Sequence, residues 1–295
     1  MAISIRTMTG RDVHLGMTLT NRAGWNQTTA DWFRFLAMEP EGCFVAEWDG
    51  RPAGTAVTTV LGAVGWIAMV LVDEAVRGRG IGTRLVEHAL THLRRRSIPT
   101  VRLDATSLGR PLYEKLGFEP EYEVARWECA LPAATADCSL FRSEMESENA
   151  ARDLQLGPVT ADQLPAVVEL DRRVTGTDRR RLIGRLCEFL GTAWAVTAGG
   201  KLAGYAILRP GFAAIQVGPA VALDAAAGAT VFDAALRSCA GHRVFIDIPS
   251  DNAVAIRWAE SKGLQVQRRW LRMRHGQPVH DCPAQLWASS GPENG

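Results

Sequence analysis

The chain has 295 residues, 47% hydrophobic and 22% charged, with 33 basic against 32 acidic side chains and a formal charge of +1. That length exceeds one ordinary core and suits two domains of a globular protein. The near-neutral balance supplies no basic field that gathers nucleic acid, and the longest apolar run, 61–72, falls well short of the roughly 20 residues that span a bilayer, so nucleic-acid and membrane partners are both set aside.

The N-terminus, MAISIRTMTGRD, lacks the basic region and apolar core of a signal peptide. Six cysteines, at 43, 129, 138, 187, 239 and 282, show no Cys-x-x-Cys pair and no histidine at metal spacing. They read as reduced thiols of a cytoplasmic protein without a metal site. Residues 49–57 (DGRPAGTAV) read as a hairpin turn and a strand. The apolar run ending at Val72 reads as a buried strand that breaks into a short polar turn; Gly78, Gly80 and Gly82 then alternate where an amphipathic helix begins. Glycines without Cβ atoms let the backbone approach a ligand, and the first unpaired amides of the helix point at it, which makes an anion cradle. Arg77 and Arg79 add charge there.

Two familiar phosphate loops are excluded. No lysine lies in the segment, so the P-loop ending is missing, and the dinucleotide fingerprint fails because Gly82 comes one residue early, with Thr83 in the place of the third glycine. A tight strand-to-helix turn that binds nothing is the bland alternative. The helix ends in Arg94-Arg95-Arg96, where cations complement the dipole, and His88 and His92 share one of its faces without a third metal ligand. Residues 99–105 alternate as a strand, and 110–116 read as a short helix closed by Gly117 before Phe118.

The chain then repeats itself. Segment 49–57 parallels 199–207, 101–104 parallels 244–247, and 115–118 parallels 261–264, at separations of 150, 143 and 146 residues. Near-constant offsets argue for duplication of one fold. Each copy reads as a strand, one or two helices, a run of antiparallel strands, a long helix, a strand and a short helix. That is an α+β arrangement, a mixed and mostly antiparallel sheet flanked by helices. The expected divisions are 1–130, a linker at 131–153 without apolar periodicity, 154–280, and a tail at 281–295 whose polar end, 289–295, reads as mobile. The second copy is degenerate: over 222–232 it has no arginine and only Gly228, and Ala259 stands in the place of Tyr113. One active site per chain is expected.

The spacing Arg77-x-x-Gly80-x-Gly82 and the run Leu112-Tyr113-Glu114-Lys115-Leu116-Gly117-Phe118 resemble the coenzyme A signature and the closing helix of the GCN5-related N-acetyltransferase (GNAT) superfamily. Segments 205–211, 246–252 and 272–276 make the second half similar to the C-terminal domain of bacterial tandem acetyltransferases, over most of 154–276. The resemblance implies an N-acetyltransferase moving acetyl from acetyl-CoA to a primary amine of a small molecule by direct attack in the N-terminal domain, with coenzyme A as product. It implies that Arg77, Gly78, Arg79, Gly80, Ile81, Gly82 and Thr83 hold the pyrophosphate, and that the backbone of Leu71 and Val72 holds the pantetheine arm where two strands splay. Thr106 stands where the family often has asparagine and makes a weaker contact. The resemblance further implies that Tyr113 protonates the departing thiolate, its bland alternative being a packing tyrosine, and that Trp25 and Asn26 lie in the loop that covers the acceptor, the bland alternative for Trp25 being packing between helices. Some members carry a basic glutamate where this chain has Trp66, so no general base is named. The competing hypothesis is a non-catalytic acyl-CoA-binding regulator, against which Tyr113 argues, since binding alone requires no proton donor at the sulfur. No motif specifies an oligomeric state.

Overall fold

In the computed structural model, which describes residues 2–131, 154–190 and 192–295, the chain passes twice through one order of elements. The first pass is β1 (Ile3–Thr7), α1 (Val13–Arg22), α2 (Thr29–Met38), β2 (Cys43–Trp48), β3 (Arg51–Leu61), β4 (Val64–Val72), α3 (Ile81–Arg95), β5 (Thr100–Ala105), α4 (Arg110–Lys115) and β6 (Glu119–Ala130). The second is β7 (Leu154–Pro158), α5 (Leu164–Thr175), α6 (Arg180–Leu190), β8 (Ala193–Ala198), β9 (Lys201–Arg209), β10 (Ile215–Ala222), α7 (Ala225–Ser238), β11 (Arg243–Pro249), α8 (Ala253–Ser261) and β12 (Gln265–Gly276), after which comes a short β13 (Leu286–Ala288). The segment read as a linker lies outside the described residues from 132 on.

Local sequence accounts for the elements around the site. Thr28 and Asp31 form a capping box that starts α2, the Asp31 carboxylate accepting from the Thr28 amide at 2.7 Å. In α3 the buried residues Ile81, Leu85, Val86, Ala89, Leu90 and Leu93 recur at helical spacing, and His92, Arg94 and Arg95 gather in the last turn. Each of its large apolar side chains contributes about 1.5–3 kcal/mol by leaving water.

The described strands form one mixed, mostly antiparallel sheet, ordered β1-β2-β3-β4-β5-β12-β6-β11-β10-β9-β8-β7, with β13 paired to β10. The fold class read from the sequence holds. What the sequence did not reveal is an exchange: each copy's last strand lies in the other copy's sheet, β12 between β5 and β6, and β6 between β12 and β11. Two ion pairs repeat across the exchange. Arg272 of β12 grips Asp104 of β5 at 2.9 and 3.0 Å, and Arg126 of β6 grips Asp247 of β11 at 2.7 and 2.8 Å, all four side chains buried. Helices cover both faces. In the first copy, α3 and α4 pack on one side with Ile67, Leu103 and Phe118, and α1 and α2 on the other with Trp32, Phe35 and Trp66.

The end of the chain departs from expectation. Residues read as a mobile polar tail are buried: Ser289 and Ser290 are 0% exposed, Glu293 2% and Asn294 4%. Polarity misled because the charged group there finds partners distant in sequence: Glu293 accepts from Gln27 Nε2 at 2.9 Å and from Arg209.

Candidate active site

β4 and β5 run parallel and pair only at Val64–Thr100, Gly65–Val101 and Trp66–Arg102; past Trp66 they part. A bulge in the β3–β4 ladder sits beside the opening: the register shifts between Thr55 and Val57, and Met69 adopts φ 53°. A left-handed methionine costs about 1–2 kcal/mol, opposed here by the Thr55 hydroxyl donating to the Met69 carbonyl at 2.8 Å. Sequence reasoning missed this bulge, since no glycine marks it. Beyond it, Asp73 donates its amide to the Ala53 carbonyl, so hydrogen-bonded pairs alternate and Leu71 turns its backbone to β3. The backbone of Val72 therefore faces the gap, where its carbonyl accepts from Arg77 Nε at 3.1 Å.

The chain leaves β4 through a turn that Asp73 caps, its carboxylate accepting from the Ala75 amide at 3.0 Å and pairing with Arg22 at 3.0 Å. Gly78 and Gly80 then adopt φ 75° and 81°, the left-handed region that favours glycine, and Gly80 serves as the N-cap of α3. A Cβ on either would meet nothing within 4 Å, so both glycines border open space. Gly82 differs, because its Cβ would point at Leu112 of α4, 3.6 Å away, and Val72, 3.8 Å away. At the N-terminus of α3 the first amides, those of Ile81, Gly82 and Thr83, have no intrahelical acceptor. Arg77 is tied to Glu74 at 3.0 Å as well as to Val72, and the Arg79 guanidinium lies 5.3 Å from the Trp48 ring centroid. Exposed amides at a helix N-terminus, open glycine surface and two arginines fit a pyrophosphate.

α4 brings Tyr113 to the same end of the gap. Thr106 starts the turn, accepting the Gly109 amide at its hydroxyl, 3.2 Å, and at its carbonyl, 3.0 Å. The Tyr113 ring stands edge-on to Phe118, 5.8 Å between centroids, and lies close over Gly109, where a Cβ would fall 2.9 Å from the ring. Burial pushes the phenol up to about 12. Among the described residues nothing hydrogen-bonds its hydroxyl, and the group is held neutral across the physiological range.

Trp25 and Asn26 lie on the opposite face, in the loop from α1 to α2. Trp25 is half-buried against the cluster containing Trp32 and Trp66. The Asn26 carboxamide is engaged with the other copy: its oxygen accepts the amides of Ala213 and Ala214 at 2.8 and 3.0 Å, and its nitrogen donates to the Ala214 carbonyl at 3.0 Å. His88 and His92 stand edge-on to Phe44 at 4.6 and 5.4 Å, with burial lowering both imidazole pKa values. No cluster able to hold a metal occurs among the described residues. No described helix is long and apolar enough to cross a membrane. The described cysteines, at 43, 129, 187, 239 and 282, are free; Cys138 lies outside the described residues.

Comparison with known proteins decides the family. The model of the acetyltransferase (GNAT) family matches residues 17–118, and that of the acetyltransferase (GNAT) domain matches 167–288. This chain belongs to the GNAT superfamily, in its tandem form. Holothin acyltransferase of Pseudoalteromonas sp. is 24% identical to it over 255 residues, 85% of this chain and 81% of that protein. A solved structure from Pyrococcus horikoshii shares the fold at TM-score 0.81 and 22% identity, covering 99% of this chain and 96% of that one. A tandem GNAT protein from the clavulanic acid biosynthesis pathway does so at TM-score 0.63 and 17% identity, covering 94% and 99%. By family, this tandem GNAT protein is an acyl-CoA-dependent N-acetyltransferase.

Its two copies differ at the gap. β10 and β11 also run parallel, from Ile215–Val244 to Val217–Ile246, and the β9–β10 register also shifts just beyond, between Val217 and Ala220. There β13 fills the opening: Ala288 pairs with Ala220, Leu286 with Val221, the Ser289 amide donates to the Asp247 carbonyl at 2.8 Å, and Asn252 Nδ2 donates to the Leu286 carbonyl at 3.1 Å. Trp287 presses on Gly228 of α7, where a Cβ would fall 1.9 Å from the indole.

Proposed function

We propose that the first GNAT copy binds acetyl-CoA and transfers its acetyl group to the primary amine of a small molecule by direct attack, with no acyl-enzyme. One contrast carries the reading: the gap between β4 and β5 stands beside an open glycine cradle at the start of α3, whereas β13 fills the matching gap of the second copy. Arg77, Gly78, Arg79, Gly80, Ile81, Gly82 and Thr83 would hold the pyrophosphate, chiefly through backbone amides, and the backbone of Val72 the pantetheine arm, whereas Leu71, expected to share that role, spends its backbone on β3. Bound there, acetyl-CoA supplies the activated carbonyl.

Leu71 serves by pairing with Thr55, which fixes the edge that Val72 presents. Amides of β4 facing the gap polarise the carbonyl oxygen as negative charge develops. A primary ammonium must lose a proton before it attacks. Asp104 is occupied by Arg272 and Asp73 by Arg22, so water takes that proton. Tyr113 donates a hydrogen bond to the departing sulfur. A phenol held near 12 transfers its proton uphill to a thiolate of ordinary basicity, near 8.5, so the tyrosine stabilises the charge and solvent completes the protonation. Thr106 orders the turn before α4, Trp25 offers a face to the acceptor, and Asn26 holds the wall that the second copy contributes.

Thiol release from acetyl-CoA across a panel of primary amines tests the reading. Turnover with at least one small amine, abolished by Gly80→Val, is expected; acetyl-CoA binding without turnover on any amine refutes it.

A further inference from the structure

The segment that fills the second gap continues to the first. Beyond β13, residues 289–295 roll into one turn, with the amides of Asn294 and Gly295 donating to the Gly291 carbonyl at 3.0 and 3.1 Å, and that of Ser290 to the Gly295 carbonyl at 3.2 Å. Both copies grip it. Glu293 accepts from Arg209 of β9 and from Gln27 of the first copy; the Trp66 indole donates to the Pro292 carbonyl at 2.9 Å, and Arg179 donates to the Gly295 carbonyl. Trp66 and Arg102 form the last register pair before β4 and β5 part, so the turn rests against the apex of the first gap. Packing there is tight: a Cβ on Gly295 would lie 3.0–3.2 Å from atoms of the Trp66 ring. The void that Trp66, Arg102, Arg179, Arg272 and Gly295 enclose measures about 10 Å³. It has room for at most one water. In the second copy the place of Trp66 is taken by Gln216, which donates to Asp247 at 3.0 Å instead of holding a peptide.

We propose that the second copy's cleft is the anchor of a strap, β13 with residues 289–295, whose far end forms the blind wall of the first copy's acyl pocket and limits the transferred group to a short acyl chain. The inference rests on the reading that the first copy holds the coenzyme. An arm whose pyrophosphate sits at the start of α3 enters the gap from its open end and points its thioester toward the apex. Carbons beyond an acetyl group then meet Trp66, Arg102 and the turn. A closed pocket discriminates by roughly tenfold or more for each methylene it lacks room for. The degenerate copy thereby acquires a structural role in catalysis, holding the wall of its neighbour's site.

Calorimetric titration with acetyl-CoA, butyryl-CoA and hexanoyl-CoA tests this on the full chain, on a chain ending at Ala288, and on Gly228→Ala, whose methyl displaces Trp287 and with it β13 from the far side. The full chain should bind hexanoyl-CoA at least about tenfold more weakly than acetyl-CoA. Both variants should keep acetyl-CoA affinity within about threefold and bind hexanoyl-CoA as tightly as acetyl-CoA or better. Because deletion strips acceptors from buried Arg209 and Arg179, Gly228→Ala decides alone if the shortened chain does not fold. A full chain that binds hexanoyl-CoA as well as acetyl-CoA overturns the proposal, and so do folded variants that keep the full chain's ratio. Acetyl-CoA binding that survives Gly80→Val overturns the first-copy reading instead, whatever the acyl ratios.

Discussion

Replacing Gly80 by valine separates what the glycine cradle does for the fold from what it does for a ligand. Gly80 sits at φ 81° and ψ 2°, so the valine must adopt a left-handed conformation at a cost of about 1–2 kcal/mol. The added Cβ itself meets nothing within 4 Å. At about 2–4 °C per kcal/mol the melting temperature should fall by roughly 2–8 °C, leaving the protein folded. The isopropyl group would, however, fill the space in front of the α3 amides. Hydrogen bonds to a charged group are worth about 1.5–3 kcal/mol each, so losing two weakens acetyl-CoA binding by about 100-fold to 10,000-fold. Gly82→Ala is the internal control: its Cβ points at Leu112 and Val72 at ordinary contact distances, and its affinity should stay within about threefold of the parent. Calorimetry with acetyl-CoA and a thermal melt on each variant measure both quantities. Retention of affinity within about tenfold by Gly80→Val, or an equal loss in Gly82→Ala, would remove the cradle from the binding site.

Three other perturbations test separate parts of the structure. Tyr113→Phe should lower turnover by about tenfold with near-normal acetyl-CoA affinity, because only the donor to the sulfur is lost. Burial holds the folded-state phenol near 12, above its unfolded value of about 10, so its stabilising contribution is complete below pH 10 and is lost as pH rises toward 12. Melting temperatures of Tyr113→Phe should therefore fall less steeply across that window than those of the parent. Asp104→Asn and Asp247→Asn each leave a buried arginine without its carboxylate and should each cost about 3–5 kcal/mol in urea unfolding; tolerance of one and not the other would show that they are not structural twins. Asn26→Ala strips the buried amide of Ala214 and the part-buried one of Ala213 of their acceptor and should cost about 1–3 kcal/mol, whereas a change confined to the acceptor KM would make it a substrate contact.

Local signals made the first copy legible. Alternating glycines at 78, 80 and 82, the apolar spacing of α3 and the Gly117 stop of α4 each depend on residues within one turn of each other, and all appear where the pattern placed them. Pairing between distant strands leaves no such trace. The exposed edges of β5 and β11 accept either closing strand by the same ladder, so nothing in the alternation of β6 or β12 reveals that they are exchanged. The Met69 bulge hid behind an ordinary residue in an apolar run. The resemblance places Asn26 in the loop that covers the acceptor, and local sequence holds no sign that the backbone of 213–214 takes up its carboxamide; the trace of that contact is Gly211, where a Cβ would fall 2.2 Å from the Asn26 nitrogen. The buried tail misled for the same reason, since a glutamate whose partners are Gln27 and Arg209 cannot be told from a solvated one without the fold.

Duplication supplies an internal control for deciding which residues act and which merely hold. Arg272–Asp104 and Arg126–Asp247 recur in both copies, although only the gap between β4 and β5 is left unfilled by β13, so a proton-transfer role for Asp104 would require its twin to be kept for nothing. The pairs also do not select the exchanged topology. Were β6 to return to β5, Arg126 would meet Asp104 as Arg272 now does, which means that the charges set register and leave the choice of partner open. Two asymmetric features remain to make that choice. The Arg272 guanidinium lies over Trp66 and Tyr122, whereas that of Arg126 lies over Phe245 and Trp270, so the two arginines are not interchangeable in their seats. The C-terminal segment adds a further tie between the copies, because it pairs with β10, bonds to β11 and reaches Trp66.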